Sequence, residues 1–309
     1  MDATTDLSHA TPEQARALIR AGRWDGPTGG ACLGHLQANM AILPTEAAGE
    51  FRDFCLANSQ PLPLVDMTDP GDPTPRRVAP SADLRTDLPR YRVYRRGEVV
   101  DEPTDVRDLW TDDLVGFLLG CSFSAENRLL EAGVRLRHLE LGGNVPMYVT
   151  SVECTPVGRF HGPMVVSMRP IARSQLDLAR TVTAELPLAH GAPVSIGDPE
   201  RLGIRDVARP DFGPVLEPEA DEEPVFWACG VTPQAVIMAV KPELAITHAP
   251  GHMFLTDAAR LLPGSQVAAV VDALIRDLGK RSCGGRSGST DSERCRAGDE
   301  DQLALHILS

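Results

Sequence analysis

Apolar residues fall along this chain in short runs separated by polar and turn residues, and the spacing of the runs predicts alternating strands and helices. Thr11-Pro-Glu-Gln14 opens a helix: Thr11 can cap, Pro12 sits where its missing N–H is harmless, and Gln14 can reach back as in a capping box. Gly22 should end it. A Gly-rich turn leads into residues 31–43, where His35, Gln37 and Asn39 lie among apolar neighbours. Residues 47–58 read as a helix and 62–67 as a strand. A loop dense in Pro, Gly and Asp follows, and loops of that length in compact domains are usually functional or disordered. Residues 91–94 and 98–100 flank Arg95-Arg-Gly97 as a hairpin. Thr111, with Asp112 and Asp113 behind it, reads as the cap of another helix.

From residue 145 the texture becomes strand, strand, helix, strand. The strands are 147–154, 163–168 and 192–196, and the helix is 174–186, with Ser174 and Asp177 at capping-box spacing. Residues 225–229 then read as a buried strand, 233–240 as a short helix and 244–247 as a strand. The alternation favours an α/β architecture. Residues 264–278 can form one more helix, whereas 280–302 are rich in Ser, Gly, Arg, Asp and Glu, a composition poor in apolar surface. No internal repeat is visible.

Composition narrows the function. Acidic residues outnumber basic ones, 43 to 30, for a formal net charge of −13, which argues against nucleic-acid binding because such affinity comes from Lys and Arg on phosphates. No apolar stretch approaches the ~20 residues of a bilayer span, and the first 20 residues lack a signal-peptide pattern. The seven cysteines are odd in number and scattered, with no Cys-x-x-Cys pair, so neither a disulfide framework nor a zinc ribbon is expected. A soluble, cytoplasmic protein without a membrane partner is the expectation.

Candidate chemistry sits in loop-like segments. They include Gly120-Cys-Ser-Phe-Ser124 beside Glu126, His138-Leu-Glu140 running into Gly142-Gly-Asn-Val-Pro-Met-Tyr148, and Val166-Ser-Met-Arg-Pro170. Others are Ile196-Gly-Asp-Pro199, Trp227-Ala-Cys-Gly-Val-Thr-Pro-Gln234 and Ile246-Thr-His-Ala-Pro-Gly-His-Met253. With Gly30-Ala-Cys-Leu-Gly-His-Leu-Gln-Ala-Asn39 and Asp83-Leu-Arg-Thr-Asp-Leu-Pro-Arg-Tyr91, these segments resemble the D-glutamate cyclase family over about residues 10 to 257. The resemblance implies a two-domain α/β fold and ring closure of D-glutamate to 5-oxo-D-proline with loss of water, or the same chemistry on a related small dicarboxylate. The expected arrangement is a three-layer α/β/α main domain from residues 1–144 and 198–262. Residues 145–197 should form a smaller two-layer α+β domain, and 263–309 a helix and tail.

Ring closure needs a cationic anchor, a base for the amine, donors for the tetrahedral oxyanion and an acid to expel water. Folding the substrate is mostly a matter of orientation, and the chemistry requires no metal or cofactor. Arg85 and Arg169 are the anchor candidates, the alternative being structural ion pairs such as Arg85 with Asp83 or Asp87. Cys121 and Cys229 each adjoin a glycine and could be nucleophiles; a small buried hydrophobe is the commoner fate of a free cysteine. Gly230 and Thr232 form a strand–turn–helix corner whose free N–H groups could bind an anion, or simply a well-capped turn. Glu140 is a candidate base and Asn144 an oxyanion donor. Asp198 is a substrate-binding candidate or a plain turn residue.

His248 and His252, four apart, could serve in acid–base or positioning work. Pro250 and Gly251 between them make a helical metal pair unfavourable. The leading reading is a cofactor-independent hydro-lyase acting on a small anionic substrate. A metal-dependent hydrolase using His248 and His252, and a non-catalytic module binding an anionic metabolite, are the alternatives; a homo-oligomer stays open. Because the stretch after residue 280 lacks apolar surface to offset its ordering entropy, removing residues 264–309 should leave a cooperatively folded protein. Thermal melts of the full and shortened chains check this; a broadened transition in the shortened one would place the segment in the core.

Overall fold

A computed structural model describes residues 6–141 and 144–259; the helix and tail expected at 263–309, and Gly142 and Gly143, lie outside the described residues. In chain order the elements are α1 (Pro12–Arg20), β1 (His35–Pro44), α2 (Thr45–Ala57), β2 (Leu64–Met67), β3 (Tyr91–Arg95), β4 (Glu98–Asp101) and β5 (Leu114–Gly120). Then come α3 (Phe123–Glu131), α4 (Arg137–Glu140), β6 (Met147–Glu153), β7 (Pro163–Ala172), α5 (Leu176–Ala184), β8 (Ser195–Ile196), β9 (Glu222–Ala228), α6 (Thr232–Val240), β10 (Ala245–His248) and β11 (Phe254–Ala259). The fold is mixed α/β. Its strands form two sheets, one ordered β2-β5-β1-β10-β3-β4 with β11 also on β1, the other β6-β7-β9-β8. Every pairing is antiparallel. The described residues all fall in one compact unit, and β9 joins the second sheet from outside the 145–197 segment. Among the described residues no helix is long and apolar enough to cross a membrane.

Local sequence explains most of the elements. The capping box at Thr11 forms as expected, with Gln14 N–H donating to Thr11 Oγ1 at 3.2 Å and Thr11 N–H to Gln14 Oε1 at 3.0 Å. The hairpin turn carries Arg96 and Gly97 at φ 50 and 79°, the left-handed pair that matches strand twist. The long loop after β2 is ordered by buried carboxylates. Asp66 accepts from Met67 N–H and Arg77 N–H, and Asp87 accepts from Arg20 at 2.7 and 2.5 Å. Its apolar residues Leu84 and Leu88 then close over Leu36, Ala38, Met40 and Ile42, one face of β1.

Three local expectations change. Thr111 starts no helix: its hydroxyl donates to Asp113 at 2.6 Å and the chain enters β5, whose seven residues are all buried. A continuous apolar run of that length between two partner strands suits a sheet interior better than a helix face. Ser174 caps nothing, since residues 173–175 make a tighter turn before α5. Arg169 lies inside β7 and not at its end, because the strand continues to Ala172 opposite Glu222.

At the end of β5, a methyl group on Gly120 would fall 1.7 Å from the backbone oxygen of Leu188. Overpacking typically costs about 1–3 kcal/mol, and here the obstacle is backbone that cannot swing away. Gly120→Ala should lose at least that much in urea denaturation. An unchanged midpoint would show that the β5 end tolerates a side chain.

Candidate functional site

β5 and β9 each end in a cysteine–glycine corner from which a helix departs. Cys121 lies between Gly120 and the start of α3, and Cys229 lies between β9 and Gly230, just before α6. The two thiols share one apolar cluster with Val145, Val165, Val231 and Met253. Above them, Asn39 of β1 donates to Gly120 O at 2.6 Å. A methyl group on Gly230 would lie 1.8 Å from Asn39 Nδ2, so glycine is required there for the close approach of α6 to β1. Cys121 therefore follows a strand, where a helical segment had been expected.

Beneath the thiols runs a buried polar chain. Arg169, 2% exposed, donates through Nη2 to Glu126 Oε1 at 2.5 Å and through Nε to the same oxygen at 3.2 Å. Its remaining donors reach Ser122 Oγ at 3.1 Å and Ser167 Oγ at 3.2 Å, and its guanidinium stacks 5.7 Å over the Trp227 ring. His138 Nε2 lies 2.8 Å from Glu126 Oε1. Ser122 adjoins Cys121, and Ser167 is among the groups that draw the Cys229 pKa down, so the chain of His138, Glu126 and Arg169 lies beside both thiols. The elements explain the convergence. Ser167 and Arg169, two apart on β7, share a face, and Ser122, just before α3, lies four residues from Glu126 on the same side of the helix.

Electrostatics follow from depth. Burial raises the carboxyl pKa of Glu126, but Arg169 and His138 outweigh it and hold the group below the usual carboxylate value. Burial pushes the Cys121 thiol far above its ordinary value, and the Cys229 thiol up to about 11 despite the pull of the Val231 N–H, Arg169 and Ser167. Both thiols are thus neutral near neutral pH, suited to donating a proton and ill suited to nucleophilic attack.

The other sequence candidates scatter. Glu140 is half-exposed on the short helix α4, not on an extended segment, and pairs with Arg135 at 2.7 Å, which lowers its pKa and makes it a poor base. Arg85 holds Asp83 at 2.8 Å, the structural ion pair. Asp198 accepts from Arg201 N–H at 3.3 Å as a turn residue. Thr232 does not cap α6: its hydroxyl donates to Cys229 O at 2.6 Å and accepts from Val165 N–H at 3.1 Å, bolting the corner to β7. Asn144 Oδ1 accepts from Val145 N–H at 2.9 Å, with its Nδ2 toward Gly251.

His248, fully buried, sets Nδ1 against Met40, and burial lowers its pKa to about 4. His252 turns Nδ1 toward Pro250 O at 3.0 Å, and burial lowers its pKa as well. Among the described residues no group of three His, Cys, Asp or Glu side chains could hold a metal ion. The motifs contain Glu126, His138, Ser122, Ser167 and Asn39, but the sequence assigns none of them a role; the strand and helix periodicities that join Ser167 to Arg169 and Ser122 to Glu126 are the available signal.

The fold and site define a mixed α/β protein built around two buried thiols and a buried carboxylate–guanidinium pair. The D-glutamate cyclase family model matches residues 115–257. A protein named "Putative hydro-lyase" from Bacillus licheniformis is 56% identical over 251 residues, covering 81% of this chain and 96% of its own. Proteins of the same description from Geobacillus kaustophilus and Stutzerimonas stutzeri are each 55% identical, covering 79% and 83% of this chain and 93% and 96% of theirs. The chain belongs to the D-glutamate cyclase family.

Acid should weaken this centre from two directions. His190, whose Nδ1 meets Gln60 O at 2.8 Å, is also buried and lowered to about 4. Below the ordinary histidine value of 6.5 the unfolded chain takes up protons that folded His190 and His248 refuse, so stability falls as pH drops toward about 4. Each histidine contributes a slope of up to about 1.4 kcal/mol per pH unit. Glu126 acts later: its contribution is complete above the ordinary carboxylate value and is lost as pH falls through its lower folded value. Urea midpoints should therefore fall between about pH 7 and about pH 5, and His248→Asn should flatten the slope. Equal midpoints across that range would mean these imidazoles are reached by solvent.

Proposed function

We propose that the protein is a cofactor-independent hydro-lyase that closes D-glutamate to 5-oxo-D-proline, or a related small dicarboxylate to its ring, with loss of water. The observation that carries the reading is the pairing of two neutral thiols at the starts of two helices, in a chain whose family and relatives bear cyclase and hydro-lyase names. In the reaction the amine nitrogen bonds to the side-chain carboxyl carbon and one C–O bond of that carboxyl breaks. The ammonium nitrogen loses two protons on the way to the ring amide N–H, and the leaving carboxylate oxygen gains two, relayed through a base and an acid that return to their starting states, so that it departs as water.

The residues divide that work as follows. Cys229, with its thiol near 11, is the acid that protonates the leaving oxygen. His252, neutral and with Nδ1 committed to Pro250, keeps Nε2 as the base for the amine. Asn144, its Oδ1 engaged by Val145 N–H, offers Nδ2 to the oxyanion. The starts of α3 and α6 favour the spectator carboxylate in place of Arg169, whose donors are spent on Glu126, Ser122 and Ser167. Arg169 is then a positioning residue. In this reading the protein works in the cytoplasm on small anionic amino acids.

Purified protein incubated with D-glutamate, L-glutamate and each 5-oxoproline, followed by mass spectrometry in both directions, should interconvert the D pair; no turnover of any of the four would overturn the reading. Cys229→Ser, a weaker acid of similar size, should lower kcat by about a hundredfold or more with KM little changed. Dialysis against a chelator should leave the rate as it was. Restoration of a lost rate by zinc or manganese would transfer the chemistry to a metal.

A further inference from the structure

On the outer side of α3 the loop before β1 folds over a cavity of about 30 Å³, the room of one compact headgroup. Gly30, Cys32 and Gly34 turn the loop with φ of 76, 48 and 100°. The polar lining comes from His35, Gln37, Ser124, Glu126 and Asn127, with Phe123 beside them; no Lys or Arg lines the cavity, although Arg169 holds Glu126 Oε1 from outside it. Gln37 is 3% exposed; its Nε2 donates to Thr28 O at 2.9 Å and Ala31 O at 3.1 Å, while its Oε1, a buried acceptor, has no partner. His35 Nδ1 is likewise buried and unpartnered, an acceptor in the Nε2–H tautomer. Glu126 is ionised, held below the usual carboxylate value.

A cavity lined by two orphaned acceptors, Gln37 Oε1 and His35 Nδ1, and by a carboxylate whose Oε1 is already held by Arg169 and His138, has acceptors in excess and calls for a compact group that brings several N–H donors. We propose that this cavity is a binding subsite for a primary ammonium group. That chemistry comes either from free ammonium ion or from the amine end of a small organic molecule. The size and the orphaned Gln37 acceptor argue for the headgroup alone entering, with any attached carbon chain leaving along the half-exposed side of His35. The subsite goes beyond the ring-closure reading and does not depend on it, because it concerns binding by groups that the proposed acid, base and oxyanion donor do not include.

The test is titration of the full chain at constant ionic strength with ammonium chloride, methylammonium chloride, potassium chloride and tetramethylammonium chloride, followed by amide NMR shifts. Saturable shifts centred on Gln37, Ser124 and Glu126 are expected with ammonium or methylammonium and not with tetramethylammonium. Methylammonium binding at least as tightly as ammonium assigns an organic amine; ammonium alone assigns the free ion. Gln37→Met, which keeps length and removes the acceptor, should weaken binding roughly tenfold or more. Should that variant fail to fold, His35→Leu at the half-exposed side serves, with loss in the same direction. Potassium binding as tightly as ammonium, no saturable response to either ammonium salt, or unweakened binding in a folded variant each overturns the proposal. Turnover of D-glutamate is measured separately, so either reading can fail alone.

Discussion

The Glu126–Arg169 ion pair is the constraint around which the centre of this molecule is arranged. A charge this deep is tolerated only when paired and fully hydrogen-bonded, since breaking such a pair typically costs about 3–5 kcal/mol. Meeting that condition uses four elements and the turn into α3. β7 supplies Arg169 and Ser167, α3 supplies Glu126, its entry supplies Ser122, α4 supplies His138, and β9 supplies Trp227 beneath the guanidinium. Each partner is rigid because its element is, so the pair fixes where α3 leaves β5. That exit sets the position of Cys121. On the other side Thr232 ties the α6 corner, and with it Cys229, to β7. The Cys121 thiol is placed by a charged pair that is itself buried.

This arrangement explains why a guanidinium that reads in sequence as a substrate anchor behaves as a strut. An Arg beside Pro in a loop-like motif looks available; the same Arg in the middle of a ten-residue strand buried on both faces does not. The misreading began with the strand end, placed at Met168 when pairing with β9 carries it to Ala172. Four residues of register decide whether the side chain faces a crevice or a core. The same sensitivity explains Thr111, where an acidic cap signal was local and the apolar run after it decided the structure.

The elements whose signals are local were legible: the capping box at Thr11, the Arg96–Gly97 hairpin, the strand–helix corner at Gly230. The pairing of strands was not, since alternating strands and helices fit a parallel sheet as well as the antiparallel ones observed. Within the site, Cys121, Cys229 and Gly230 were visible because glycine beside a functional group marks a close approach, and Gly230 proves to need one against Asn39. Glu126 and His138 were obscured by a neighbouring choice. His138 and Glu140 stand two apart in one motif, and the short helix α4 buries the histidine and leaves the glutamate half-exposed. Their true partner is distant in sequence, and spacing alone carries no sign of it.

Depth also decides what kind of chemistry the thiols can perform. A cysteine at a helix start is often read as activated, because the N–H groups there stabilise a thiolate. Here both effects operate at once: the Val231 N–H pulls the Cys229 pKa down, and burial among Val145, Val165 and Met253 pushes it up further. The balance leaves a group that holds its proton at neutral pH and can release it only to a strongly basic atom. A leaving carboxyl oxygen in a tetrahedral intermediate is such an atom, whereas a resting substrate carboxylate is not. In the proposed ring closure, the apolar shell that makes the cysteines look like ordinary core residues is what would keep Cys229 a proton donor. A polar lining at the same corner would yield a nucleophile, and with it a covalent route that the buried geometry disfavours.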